Sequence, residues 1–175
     1  MKKLLLSSLL LTQSLFCHQT PQYRLSPQYR FSGQEAVNHL AKTSECHDCD
    51  LSGEDLRAAL AAARKNNPEK RIDLSNSRLL LSVLEEADLS EANLIKANLI
   101  KANLSGADLS RANLIKANLS EANLIKANLI KADLFLADLF KANLTDANTS
   151  NTIIDTKYHH LLTWYQWLVL APSEA

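Results

Sequence analysis

From Ala87 to Ala147 every fifth residue is Ala, thirteen in succession, and the residue after each one is Asn or Asp. Two places after each Ala stands a Leu: Leu89, Leu94, Leu99, Leu104, Leu109, Leu114, Leu119, Leu124, Leu129, Leu134, Leu139 and Leu144, with Thr149 the first lapse. The register runs back through Ser82-Val83-Leu84 and Ser77-Arg78-Leu79 to Ile72-Asp73-Leu74. It runs forward to Thr152-Ile153-Ile154, seventeen consecutive units in all. A fixed short period dictates architecture before any other signal. On an α-helix five residues advance about 500°, so successive leucines would spiral around the axis. On a straight strand an odd period sends them to alternate faces. Every fifth Leu can lie inside only if the chain turns between units. A bend of about 90° per pentapeptide returns the chain over itself every four units and stacks one coil on the next. Leu then fills the middle, Ala fits the corner, and Asn or Asp and the last two residues of each unit point outward.

The run A-[DN]-L-x-x, as in Ala92-Asn93-Leu94-Ile95-Lys96, closely resembles the pentapeptide-repeat proteins, over roughly half of the chain. The resemblance implies an all-β solenoid: a right-handed quadrilateral β-helix whose coils stack through short parallel backbone ladders. Residues 72–156 supply about four coils, a stack roughly 20 Å tall at the inter-strand step of a sheet. Each buried Leu contributes roughly 1.5–3 kcal/mol. A stack of this kind is expected to carry covers at both ends, because a bare end presents unpaired strand edges.

The remainder of the chain reads as appendages to this one domain. Residues 1–17, Met1-Lys2-Lys3 followed by the apolar run Leu4 to Phe16, read as a secretory signal peptide. The run is too short to span a bilayer as a good helix. Cleavage after Ser14 or after Cys17 is open; a lipid anchor on Cys17 is the sharper alternative, with Phe16 where such signals want a small residue. Residues 18–31 carry a tandem Pro-Gln-Tyr-Arg (Pro21–Arg24 and Pro27–Arg30) and read as an extended linker. Residues 32–71 read as an N-terminal cap region with two early repeats. Ser32-Gly33-Gln34-Glu35 has capping-box spacing ahead of a short helix from about Gly33 to Lys42. Exported members of the resembled family place a Cys pair just before the repeats, and Cys46-His47-Asp48-Cys49 matches that position. In an oxidising compartment the pair suggests a local disulfide. A zinc site would want four ligands, and no second Cys pair exists. Leu56 to Lys65, ending at Asn66-Asn67-Pro68, reads either as a second helix interrupting the repeat or as an irregular first coil. Residues 157–175 read as a C-terminal cap or tail, with Trp164 and Trp167 suited to an interface.

Twenty-residue spacing sorts the outward positions. One side carries Ile95, Ile115 and Phe135, and its neighbour Leu80, Ile100, Ser120 and Phe140. The other two read Glu85, Ser105, Ile125, Thr145 and Ser90, Ser110, Ile130, Ser150. Two adjacent sides are therefore the more apolar, and Leu80, Ile95, Ile100, Ile115, Phe135 and Phe140 form a candidate interaction surface.

With 46% apolar residues, 22% charged and a formal net charge of zero, the chain lacks the field of a nucleic-acid binder. Family members that imitate DNA and shield topoisomerases such as gyrase need a strongly negative surface. Residues 72–156 hold eight Lys and Arg against eleven Asp and Glu. Asp108, Asp133 and Asp138 occupy positions filled elsewhere by Asn, which points to turn-forming and away from proton transfer. No catalytic, cofactor or metal-ligand set is expected, and His159-His160 has no third ligand at useful spacing. The expected role is a non-enzymatic exported scaffold. It would sit in the periplasm or outside the cell, or in the thylakoid lumen of a cyanobacterium. The expected partner is an unknown protein or a second copy, with no nucleic acid and no transmembrane span. Peripheral membrane contact is open through the C-terminal tail or a lipidated Cys17.

Overall fold

Four columns of parallel backbone bridges, each advancing twenty residues per step, organise the molecule. They run Asp73–Asn93–Asn113–Asp133, Arg78–Asn98–Asn118–Asp138, Val83–Asn103–Asn123–Asn143 and Asp88–Asp108–Asn128–Asn148. The computed structural model describes residues 29–154. The expected leader, the first Pro-Gln-Tyr-Arg, Cys17, the His159-His160 pair and the C-terminal tail lie outside the described residues. In the first column the last step is long enough to form a strand pair, β3 (Asp133–Leu134) with β4 (Ile153–Ile154). Elsewhere in the repeat run each side of the coil is a single bridge, so regular strand is scarce although the ladder is continuous.

Each corner is a turn closed by its own backbone. The N–H of Ala97 donates to the carbonyl of Leu94, and the same bond recurs every five residues from Ser77 to Ala147. The third residue of the turn has positive φ, 57° at Lys96 and Lys101 and 59° at Lys116 and Glu121. That is the position where a type II turn demands left-handed backbone. The Asx residue before each Leu braces the corner. Asn93 Oδ1 accepts from the N–H of Ile95 (3.3 Å) and Asp108 Oδ1 from that of Ser110 (2.9 Å). Some of these side chains also link coils: Asn123 Nδ2 donates to Asn103 Oδ1 (3.0 Å) and Asn128 Nδ2 to Asp108 Oδ1 (3.1 Å). Asn and Asp interchange here because the turn uses only the oxygen.

The leucines at every fifth position from Leu74 to Leu144 and the alanines from Ala92 to Ala132 are buried. Ser77 and Ser82 take the Ala position and are buried as well; their hydroxyls donate to the carbonyls of Leu74 (2.5 Å) and Leu79 (2.8 Å). Gly106 is the one glycine at a corner of the repeat run, with φ of 66°, and a Cβ there would meet Glu86 Cγ at 3.3 Å. That neighbour is a flexible side chain, so the penalty of Gly106→Ala is mainly left-handed strain. We expect a loss of about 1 kcal/mol, measured by urea unfolding. A change within error would mean that the ladder imposes the left-handed corner at no cost.

The N-terminal end departs from the twenty-residue step. Glu45, Asp50 and Asp55 bridge to Asp73, Arg78 and Val83. Each of these steps is longer by eight residues, because α2 (Arg57–Asn66) is inserted in the turn between Asp55 and Asp73. The laddered stack therefore begins upstream of Ile72. Of the two sequence alternatives for this segment, the second helix interrupting the repeat is the one observed.

Above it, α1 (Gly33–Thr43) buries Ala36 and Leu40, and α2 buries Ala59, Leu60 and Ala63. Three bonds tie the pair: Ser44 Oγ to Ala63 O (3.1 Å), Asn66 Nδ2 to Ala41 O (3.1 Å) and Asn67 Nδ2 to Lys42 O (3.0 Å). Ser32 holds the N-cap position, but its side chain makes no capping bond. Its backbone is instead committed to β1 (Phe31–Ser32), which pairs in parallel with β2 (Cys49–Asp50). Phe31, at the end of the expected linker, thus extends the ladder and stacks on His39 with ring centroids 4.2 Å apart.

Candidate functional site

The turns of the first and second columns bound one side of the solenoid. Turn residues 95–96 and 100–101 flank Asn98; residues 115–116 and 120–121 flank Asn118; residues 135–136 and 140–141 flank Asp138. All six residues of the candidate surface stand at these two rows of corners. Leu80, Ile95, Ile100 and Ile115 are half-buried, since each lies between the coils above and below it at the close inter-strand step. Phe135 and Phe140 are the exposed pair, at 43% and 50%. The apolar surface is thus concentrated toward the C-terminal end of this side, and is narrower than the alternation of Ile and Phe along the chain implies. Two exposed residues escaped the sequence reading: Leu81 at 61% and Ile153 at 54%. Leu81 sits at a corner position that is charged in most units. Ile153 takes the place of an Asx residue; both departures from the repeat were visible but carried no burial information.

Basic residues interleave with this apolar row. Lys96, Lys101, Lys116 and Lys141 are exposed at the same corners. Lys141 Nζ lies 5.1 Å from the centre of the Phe140 ring, a cation–π contact. Glu121, which pairs with Lys101 at 3.5 Å, and Asp138 are the acids on this side of these three coils. The opposite side reverses the balance: Glu85, Glu86, Asp88, Glu91, Asp108 and Asp146 face Arg111, Lys126 and Lys131. Arg111 bonds to Glu91 (3.3 Å), and Arg64 of α2 reaches Asp88 and the carbonyl of Ser90.

Perturbed titrations follow exposed ion pairs. Asp55 is held down at about 2, first by the side-chain hydrogen bond from Arg57 and then by its backbone N–H. Glu45 is lowered by the hydrogen bond and charge of Lys70, 2.9 Å away. Neither group lies on the Phe135–Phe140 side. Among the described residues, no group of three or more His, Cys, Asp or Glu is placed to hold a metal ion.

Cys46 and Cys49 form a disulfide with Cα atoms 5.4 Å apart, and both residues are buried. Cys46 Sγ lies 3.4 Å from the carbonyl oxygen of Ala36, and Cys49 belongs to β2, so the bridge joins the ladder edge to α1.

The pentapeptide repeats family model matches eight copies across residues 70–106 and 102–139. A pentapeptide repeat protein from the cyanobacterium Cyanothece 51142 is 30% identical; the match covers 70% of this chain and 95% of that one, with a TM-score of 0.47. The chain belongs to the pentapeptide repeat family. A pentapeptide repeat protein of the Arabidopsis thaliana thylakoid lumen is 26% identical over 79% of this chain and 83% of that one, with a TM-score of 0.58. A third pentapeptide repeat protein, from Nostoc Pcc 7120, is 30% identical over 59% of this chain and 88% of that one, with a TM-score of 0.49. No curated protein matches the chain. In this pentapeptide repeat protein, no helix among the described residues is long and apolar enough to cross a membrane.

Proposed function

We propose that the chain is an exported, non-enzymatic interaction scaffold. Its working surface is the side bounded by Leu80, Ile95, Ile100, Ile115, Phe135 and Phe140. The observation that carries this reading is a tube filled by Leu from Leu74 to Leu144 with two Phe rings left half-exposed on one side. A filled tube leaves chemistry to the outer surface, and exposed aromatic side chains there are the usual mark of a contact site. The core ladder from Leu89 to Leu144 makes that side rigid, while α1 and α2 serve as its N-terminal cap. Export is supported by the basic-then-apolar residues 1–17, by the Cys46–Cys49 bridge and by the lumenal relative. A DNA-mimic role against gyrase is disfavoured, because lysines stand at the corners where a phosphate mimic needs carboxylates.

Two measurements test the reading. Protein made with its own leader should be recovered outside the cytoplasm, shortened at Ser14 or Cys17 and lighter by two hydrogens than the reduced chain. A full-length reduced chain in the cytoplasm would end the export claim. A photo-crosslinking residue at Phe140 should give discrete adducts in cells that a probe at Lys131, on the opposite side, does not. Equal labelling from both positions would remove the assigned surface.

A further inference from the structure

The charge of the Phe135–Phe140 side names its occupant. We propose that this side docks on an anionic lipid surface, Phe135 and Phe140 entering the interface while Lys96, Lys101, Lys116 and Lys141 meet the headgroups. The inference rests on the scaffold reading and identifies what the scaffold contacts.

Three observations converge. The lysines project from successive coils in two rows, so the positive charge is spread evenly over a broad side and is not gathered into a pocket shaped for one partner group. Half-exposed aromatic rings beside flexible cations are the composition of interfacial anchors, where apolar burial and attraction to anionic lipid add together. On the opposite side Glu85, Glu86, Asp88, Glu91, Asp108 and Asp146 offset Arg64, Arg71, Arg111, Lys126 and Lys131, so an anionic surface favours the lysine side over the other and sets the orientation. The same charges count against a two-fold dimer through the Phe pair, because such an interface sets like patches against each other and would bring Lys116 and Lys141 of both copies together.

The test is co-sedimentation of the full mature chain with vesicles of three parts phosphatidylcholine to one part phosphatidylglycerol, against pure phosphatidylcholine. The expected result is binding to the anionic vesicles only, weakened by added salt. Lys96→Glu with Lys101→Glu should weaken it by at least about 30-fold, at about fivefold per lysine lost. These substitutions are compatible with the corner, since Glu91 and Glu121 hold the same positive φ, 57° and 59°. Phe135→Ala with Phe140→Ala should weaken it by at least about tenfold. Lys126→Glu with Lys131→Glu, at the opposite corners, should change it little. All variants should still unfold cooperatively, which separates lost binding from lost fold.

No binding to anionic vesicles, or equal loss from the Lys126 and Lys131 reversals, overturns the lipid assignment. If vesicles are not bound but the Phe pair controls self-association or a crosslinked protein adduct, the occupant is a protein and only this inference falls. If substituting Phe135 and Phe140 changes neither lipid binding nor any adduct, the scaffold reading falls with it.

Discussion

Leu109→Ala is expected to destabilise the chain by about 3–5 kcal/mol, the range for a leucine removed from a core that cannot collapse around the gap. Leu109 is fully buried, stacked between Leu89 and Leu129 in its column, with its backbone N–H bonded to Asn128 O at 2.8 Å. The surrounding backbone is held on both sides by ladder bonds, which limits relaxation into the cavity. In a solenoid each coil gains its stability from its neighbours, so a weak coil in the middle loses two interfaces at once. Urea unfolding should show the full loss, with Leu81→Ala, 61% exposed, as the control within about 0.5 kcal/mol. A Leu109→Ala variant no weaker than the Leu81 control would mean that the central leucines do not carry the stack.

Replacing Cys46 and Cys49 together by Ser should cost about 2 kcal/mol, the low end for a disulfide because the loop it closes is short. The more telling effect is local. The bridge holds β2 in place, β2 pairs with Phe31 and Ser32, and Cys46 packs against Ala36 of α1. Amides of α1 and β1 should therefore lose hydrogen-exchange protection while those from Leu104 to Leu124 keep theirs. Uniform loss across the chain would show the N-terminal end and the repeats to be one cooperative unit. Unchanged protection in α1 would show that the helix pair holds the end without the bridge.

Much of this structure follows from particular residues read in one dimension. The five-residue recurrence of Leu from Leu89 to Leu144 excludes a helix and a straight strand on geometric grounds alone. The exchange of Asp108 for Asn at equivalent positions already pointed to turn-bracing, and the N–H two residues on, donating to the Asx Oδ1, supplies it. The Cys46–Cys49 pairing and the short helix near Gly33 were legible for similar reasons: both are local, and the second has a one-face apolar pattern.

What the pattern does not hold is how far each outward residue is covered, because that depends on residues twenty places away. Ile95, Ile100 and Ile115 read like Phe135 and Phe140 in the repeat. Stacking half-buries the isoleucines and leaves the rings exposed at 43% and 50%. A helix interrupting the repeat between Leu56 and Lys65 is one of two readings the sequence allows; that the ladder resumes across it, from Asp55 to Val83, depends on the stacked coils. Periodicity determines which residues face inward, because that is decided by the chain's own turn angle. Exposure and the joining of the N-terminal helices to the ladder are decided only when the coils stack.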